Sequence, residues 1–482
     1  MLLKLSKNAF VRQYGPFTYV LERIHAYDEM FTDAEVFMRW ITREALPKEQ
    51  IVANICGVYS GTDPQVIAAD FDEFLAPLVA EKVVIVGESE ADLAAKEESF
   101  SYEAENPKTM STHFIKPEEM PKGAIPQEVL ERYFAEHPTI FDLQMDITQA
   151  CTERCIHCYI PEYNPVFLPY EQIAKVIDEF REQGGVGLSL SGGECMLHSD
   201  FDRIVRYARS KDLIVGVLSN LTLCDDAKIK LLVETEATVQ VSLYSMNPAT
   251  HDAITKRPGS FVQTKTAIEK LRKAQIPCRI SCPTMKPNYK DYLDVLAYAR
   301  SLKMDAQTDF IIMGKMDCDT SNLKCRLDLA ETRHILEDII YRSLPVNNEY
   351  FDPAKKDLML SDEEWGKKKV CGACVSSACL DANGNYYPCP AFGGIKLGNC
   401  YVHSLKWVWK ESPETLRIRS VVARDFKKCV HCPDRDYCST CMCRNYNETG
   451  DIFTPAQHFC DVAKINHEVV DEAQRRRIAD EG

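Results

Sequence analysis

Three cysteines, Cys151, Cys155 and Cys158, stand in a C-x3-C-x2-C spacing directly after the apolar run from Ile140 to Ile147. That run has the length and composition of a strand, and the polar stretch from Thr148 to Glu153 ends it. The three thiols are therefore expected on a loop beyond a strand's carboxyl end. Three thiolates on one short loop suit a metal cluster, because they can hold three irons of a [4Fe–4S] cube and leave the fourth iron open to an outside ligand. A structural zinc site usually draws on paired C-x2-C units and four ligands. Ordinary buried thiols are the remaining explanation, since free cysteine is often buried.

The chain has 482 residues, enough for several domains with large cores. No stretch approaches the roughly 18 uninterrupted apolar residues of a membrane span. The first residues, Met1 to Lys7, carry no secretory signal pattern. Twenty-one cysteines in such a chain are expected in a reducing cytoplasm, serving metal rather than disulfides. The formal net charge of −15 argues against a nucleic-acid partner, which needs basic surface.

Residues 1–88 read as a small, winged-helix-like α+β domain. Phe10 to Arg12 and Phe17 to Ile24 are expected to pair across Gln13 to Pro16. Thr32 and Glu35 have capping-box spacing ahead of a helix. Helices near Pro47 to Tyr59 and Pro64 to Glu81 lead to a strand at Lys82 to Val86. Residues 89–137 read as a charged linker. Residues 138–330 alternate apolar runs with amphipathic helices, the later runs being 186–190, 213–218, 238–243, 278–282 and 309–313. Six βα units imply an α/β fold with a parallel sheet, closed only in part as a (β/α)6 barrel. Residues 331–370 are expected to be bridging helices, 371–465 a cysteine-rich iron–sulfur domain, and 466–482 a C-terminal helix or tail.

The C-x3-C-x2-C loop followed by Tyr159 resembles the cluster loop of radical S-adenosylmethionine (SAM) enzymes. Ser191-Gly192-Gly193-Glu194 after the second strand resembles that family's GGE motif, although Cys195 follows where proline is frequent. The resemblance implies that Tyr159, Gly192, Gly193, Glu194, Ser219, Asn220 and Ser242 border SAM, with Cys151, Cys155 and Cys158 on its cluster. The stretch His251 to Phe261 also resembles a recurring family segment. It assigns His251 no chemistry beyond capping or packing.

The later cysteines Cys371, Cys374, Cys379 and Cys389, then Cys429, Cys432, Cys438, Cys441, Cys443 and Cys460, resemble the SPASM extension with two auxiliary [4Fe–4S] clusters. Matched to that pattern, Cys371, Cys389 and either Cys441 or Cys443 serve the first cluster, with Cys374 or Cys379 as its possible fourth ligand. Cys429, Cys432, Cys438 and Cys460 serve the second. Residues 1–88 resemble the small peptide-binding domain of pyrroloquinoline quinone biosynthesis, in which a leader peptide adds a strand to a sheet edge. The combination implies a maturase of ribosomally made peptides. Its partners are then a precursor with a leader and a flavodoxin- or ferredoxin-type electron donor, and its product a thioether. Carbon–carbon crosslinking, epimerisation, a sulfatase-type maturase and a zinc-stabilised scaffold are the alternatives. Epimerisation needs a hydrogen donor such as Cys195, Cys318 or Cys325. The catalytic residue itself is not assigned. SAM cleavage is expected to survive removal of residues 1–88.

Overall fold

The computed structural model describes residues 1–100, 133–343 and 361–481, apart from Asp33 and Ser60. Residues 101–132 of the expected linker and 344–360 of the expected bridging region lie outside these. Among the described residues no helix is long and apolar enough to cross a membrane.

The N-terminal strands are β1 (Leu2–Leu5), β2 (Ala9–Tyr14), β3 (Phe17–Glu22), β4 (Tyr27–Thr32), β5 (Leu46–Pro47) and β6 (Val84–Gly87). They form two small sheets, β5-β1-β6 and β2-β3-β4. The expected hairpin is β2–β3, with Tyr14 opposite Phe17 across the turn. Helices follow at Lys48–Cys56 and Pro64–Ala80.

The capping box expected at Thr32 does not form. Thr32 is the last residue of β4, paired opposite Phe17, and the helix beyond is the single turn Glu35–Met38 without a side-chain cap. Asp33 of that motif lies outside the described residues. Strand pairing has taken the residue that the local pattern assigned to a helix start. β4 itself has no clean apolar alternation to announce it, because both faces of its sheet are covered. Val20, Tyr27 and Phe31 pack on the helices, whereas Tyr14, Tyr19, Leu21 and Met30 pack toward Phe134, Phe141 and Val375.

The main sheet contains β7 (Asp142–Thr148), β8 (Gly187–Gly192), β9 (Ile214–Ser219), β10 (Thr238–Ser242), β11 (Cys278–Pro283) and β12 (Asp305–Asp309). Neighbours among these six strands are parallel and follow chain order, the expected partial barrel. Leu143, Met145, Leu188, Leu190, Val215, Val217, Val239 and Val241 face the surrounding helices. The alternate residues, among them Gln144, Asp146, Ser189, Gln240 and Ser242, take the inner face. A closed eight-stranded barrel fills that space with branched apolar side chains, so this polar lining marks an open groove.

The last parallel strand lies earlier than expected. β12 covers 305–309, and the apolar run after Asp309 leaves the sheet. Ile312 packs with Tyr244, Ile254 and Cys325. β12 pairs only with β11 at the sheet's edge, which leaves a strand as polar as Asp-Ala-Gln-Thr-Asp tolerable there.

Strands β13 (Ser377–Leu380), β14 (Asn385–Tyr387) and β15 (Gly398–Asn399) extend the same sheet past β7. The hairpin β13–β14 turns at Asn383-Gly384, where Gly384 takes φ +80°. β13 runs parallel to β7, so the cysteine-rich region continues the barrel sheet.

The β2-β3-β4 sheet lies across the amino ends of the barrel strands. The Arg12 side chain is fully buried there. Its Nε donates to Gly185 O at 2.7 Å, and its other nitrogens reach the Asp212 carbonyl (2.5 Å) and carboxylate (3.2 Å). Tyr14 Oη donates to Gly184 O at 2.8 Å. Arg23 donates to the carbonyl and carboxylate of Glu236 at 3.1 and 2.9 Å. Gly184, Asp212 and Glu236 stand just before β8, β9 and β10. Removing residues 1–88 strips this cover from Phe134, Phe141 and Val375, so that truncation is now expected to lose folded protein rather than to spare SAM cleavage. Arg12→Ala deletes four buried bonds and is expected to cost about 2–4 kcal/mol. The readout is a lowered thermal unfolding midpoint, and an unchanged midpoint would show that the sheet is not locked in place.

Candidate active site

The cluster loop leaves β7 and lies over the carboxyl ends of β8, β9 and β10. Two glycines allow it to come this close. Gly192 adopts φ +121°, and a Cβ on it would stand 2.1 Å from Thr148 O. A Cβ on Gly193 would stand 2.2 Å from Ala150 O. In their absence Gly193 N bonds Thr148 O at 2.9 Å and Glu194 N bonds Ala150 O at 2.8 Å. The GGE segment is thus the surface on which the residues leading into Cys151 are laid.

Glu194 is fully buried. Its Oε1 accepts from Met196 N at 3.0 Å and Ser219 Oγ at 2.8 Å, and its Oε2 from Asn220 N at 2.8 Å. Burial pushes its pKa up against those bonds. Asn220 carries the tie onward, with Nδ2 donating to Thr152 Oγ1 at 2.9 Å and lying 3.8 Å from Cys151 Sγ. Ser219 and Asn220 therefore join the β9 end to both the GGE segment and the cluster loop.

From the other side, Arg154 N and Ile156 N donate to Thr255 O and Ile254 O at 2.9 and 3.0 Å, and Arg257 donates to Thr152 O at 3.0 Å. Ser242 closes β10, and two residues on Tyr244 sends its hydroxyl to Cys155 Sγ at 3.7 Å. His251 accepts the Tyr244 N–H through Nδ1 at 3.3 Å. Burial lowers its pKa to about 4, so it serves as a neutral prop. The sequence reading missed Tyr244, which follows the apolar run 238–243 and belongs to no motif.

Cys151, Cys155 and Cys158 are partly exposed free thiols. Burial pushes Cys151 up to about 12. Glu153, buried within the same loop, lies 3.5 Å from Cys155 Sγ through Oε2. Burial raises its pKa to about 7. Tyr159 is half-buried against the barrel core, within electrostatic range of Asp146, Cys158, Cys379 and Cys389. Its carbonyl accepts from Met316 N at 3.0 Å.

Behind Tyr159 the first cysteine group assembles. The Cys443 thiol contacts those of Cys389 and Cys441, which raises Cys443 and leaves Cys441 lowered to about 5. Cys371 and Cys374 lie within electrostatic range of Cys389. Cys379, on β13, points its thiol at Asp146 Oδ2, 3.9 Å away. In the second group Cys429, Cys432, Cys438 and Cys460 line one cavity with Arg444 and Phe459. Such a cradle of free thiols fits a thiolate-bound cluster. Among the described residues no three acid, thiol or imidazole groups close on a single-ion point. A cluster does not need that, because each thiolate binds a different iron.

Cys195 and Cys325 are buried, and their thiols bond Leu218 O at 3.4 Å and Asn322 O at 3.0 Å. Cys318 is exposed. Gly193→Ala forces a Cβ into the Ala150 carbonyl and is expected to displace the cluster loop while the helices hold the barrel. Iron and sulfide analysis of the reconstituted variant should show a clear loss against the parent. Full iron content with unaltered SAM cleavage would refute this packing argument.

Residues 145–291 match the radical SAM superfamily. The AdoMet-dependent heme synthase of Methanosarcina barkeri is 26% identical over 324 residues, covering 64% of this chain and 92% of that protein. The antilisterial bacteriocin subtilosin biosynthesis protein AlbA of Bacillus subtilis is 26% identical over 332 residues, covering 65% of this chain and 69% of its own length. In fold, Streptococcus suis SuiB, solved bound to its precursor peptide SuiA, superposes with a TM-score of 0.62 at 14% identity, over 95% of this chain and 99% of SuiB. Residues 145–291 are a radical SAM domain, the part of this chain that matches that enzyme superfamily.

Proposed function

We propose that this enzyme matures a ribosomally made precursor peptide, holding it by a leader segment and closing a thioether from a cysteine sulfur to a carbon. What carries the reading is the pair of additions to one barrel: a small sheet with an edge strand across one end, and two groups of thiols beside the other. The fold likeness to SuiB spans 95% of this chain, additions included. AlbA, by its name, belongs to the biosynthesis of a bacteriocin.

In this reading Cys151, Cys155 and Cys158 hold a [4Fe–4S] cluster, and Tyr159, Gly192, Gly193, Glu194, Ser219, Asn220 and Ser242 border SAM. Cluster and SAM, when bound, supply a 5′-deoxyadenosyl radical. Glu194 and Asn220 position the loop. Cys429, Cys432, Cys438 and Cys460 hold one auxiliary cluster. Cys371, Cys389 and the Cys441/Cys443 pair hold the other, with Cys374 nearby. Cys379, aimed at Asp146, is the weaker candidate for that set. The leader pairs with β4, backbone bonds giving affinity and side-chain pockets selectivity. A flavodoxin- or ferredoxin-type protein supplies electrons.

Cys155→Ala is expected to abolish 5′-deoxyadenosine formation, and retained turnover in pure protein would remove the cluster assignment. The product is tested by mass spectrometry of a small peptide encoded beside the gene, after anaerobic incubation with reconstituted enzyme, SAM and reductant. The expected result is a loss of two hydrogens per event together with one thiol lost to alkylation. A two-hydrogen loss with all thiols intact points to a carbon–carbon crosslink. Unchanged mass with one deuterium gained in heavy water points to epimerisation, for which Cys318 is the exposed candidate donor.

A further inference from the structure

We infer that the enzyme measures its substrate, so that the residue it modifies lies at least about six residues from the precursor segment that pairs with β4. The inference rests on the leader-recognition reading above and adds a distance to it. The β2-β3-β4 sheet and the cluster loop occupy opposite ends of the barrel. Arg12, Tyr14 and Arg23 bind Gly185, Asp212, Gly184 and Glu236, all ahead of the strands. The cluster loop rests on Gly192, Gly193 and Asn220, where strands end. β7 and β8 run seven and six residues between these ends. At a rise of about 3.3 Å per residue, that is roughly 20 Å. An extended peptide covers at most about 3.5 Å per residue, so about six residues are needed along the straightest path.

The sheet cannot swing to shorten the gap. Both of its faces are packed, and the buried Arg12 guanidinium would lose its bonds to Gly185 and Asp212 at once. The alternative edge is also used: on β2, Arg43 donates to Ala9 O at 2.5 Å and Tyr133 Oη to Tyr14 O at 3.2 Å. Among the described residues, the backbone of β4 bonds only to β3. β4 is therefore the edge open to an added strand, and it is held at a fixed distance from the site of radical chemistry.

The test varies the peptide, which leaves the fold of the enzyme untouched. The small peptide encoded beside the gene is made with its natural spacing, with three residues between leader and modified residue, and with ten residues added. Full-length reconstituted enzyme is used throughout. Binding is followed by fluorescence anisotropy of labelled peptide, and modification by mass. The three-residue spacer is expected to bind within twofold of the natural peptide and to lose modification at least tenfold. The lengthened spacer should lose little, since loop closure depends weakly on length. Equal modification of the three-residue peptide, with the leader still bound, overturns the ruler alone. Modification without measurable leader binding overturns the recognition reading, and the ruler with it.

Discussion

The buried Glu194 carboxylate is the constraint on which the site depends. It ties the end of β8 to the end of β9 through Ser219 and Asn220, and Asn220 in turn holds the loop that carries Cys151. A carboxylate taken fully out of water is tolerated only where donors replace the lost hydration. Three N–H or O–H donors from two chain segments meet that condition here, each worth about 1.5–3 kcal/mol as a bond to a charged group. Those bonds require the two strand ends to stand in one register, and that register brings Gly192 and Gly193 beneath the residues leading into the thiols. The polar lining, the cluster loop and the GGE turn are thus one construction.

Both additions are fixed to the barrel rather than tethered beside it, one by joining its sheet and the other by packing across the amino ends of its strands. β13 lies parallel against β7, which carries the region of the later cysteines to within reach of Asp146 and Tyr159. At the opposite end, the N-terminal sheet gives one face to its own helices and the other to the barrel. The N-terminal sheet, the loop of Cys151, Cys155 and Cys158, and the outlying thiols are consequently held in a fixed spatial order.

Local readings succeeded where one residue type in one spacing has a single good use. The loop after the first barrel strand, the paired glycines, the Asn-Gly turn and the alternation of βα units all name their structures without help from elsewhere. Local readings failed where a partner distant in sequence decided the outcome. Thr32 became a strand end because Phe17 was opposite, and β12 formed at 305–309 because β11 offered its edge there. Tyr244 and His251 became supports of Cys155 only once the chain had folded back over the loop.

By itself the sequence determined which groups the loop and the turn carry: the thiols, the glycines that permit close backbone approach, and the acid of the GGE turn. These are properties of residue type and short spacing, which a chain keeps whatever it packs against. Only the tertiary structure decided that Glu194 binds the strand ends, that Cys195 and Cys325 spend their thiols on carbonyls, and that Cys443 reaches both Cys389 and Cys441. It alone decided that the N-terminal sheet and the cluster loop face away from each other across the barrel. Distances of that kind come from burial and long-range pairing, and no window of neighbouring residues contains them.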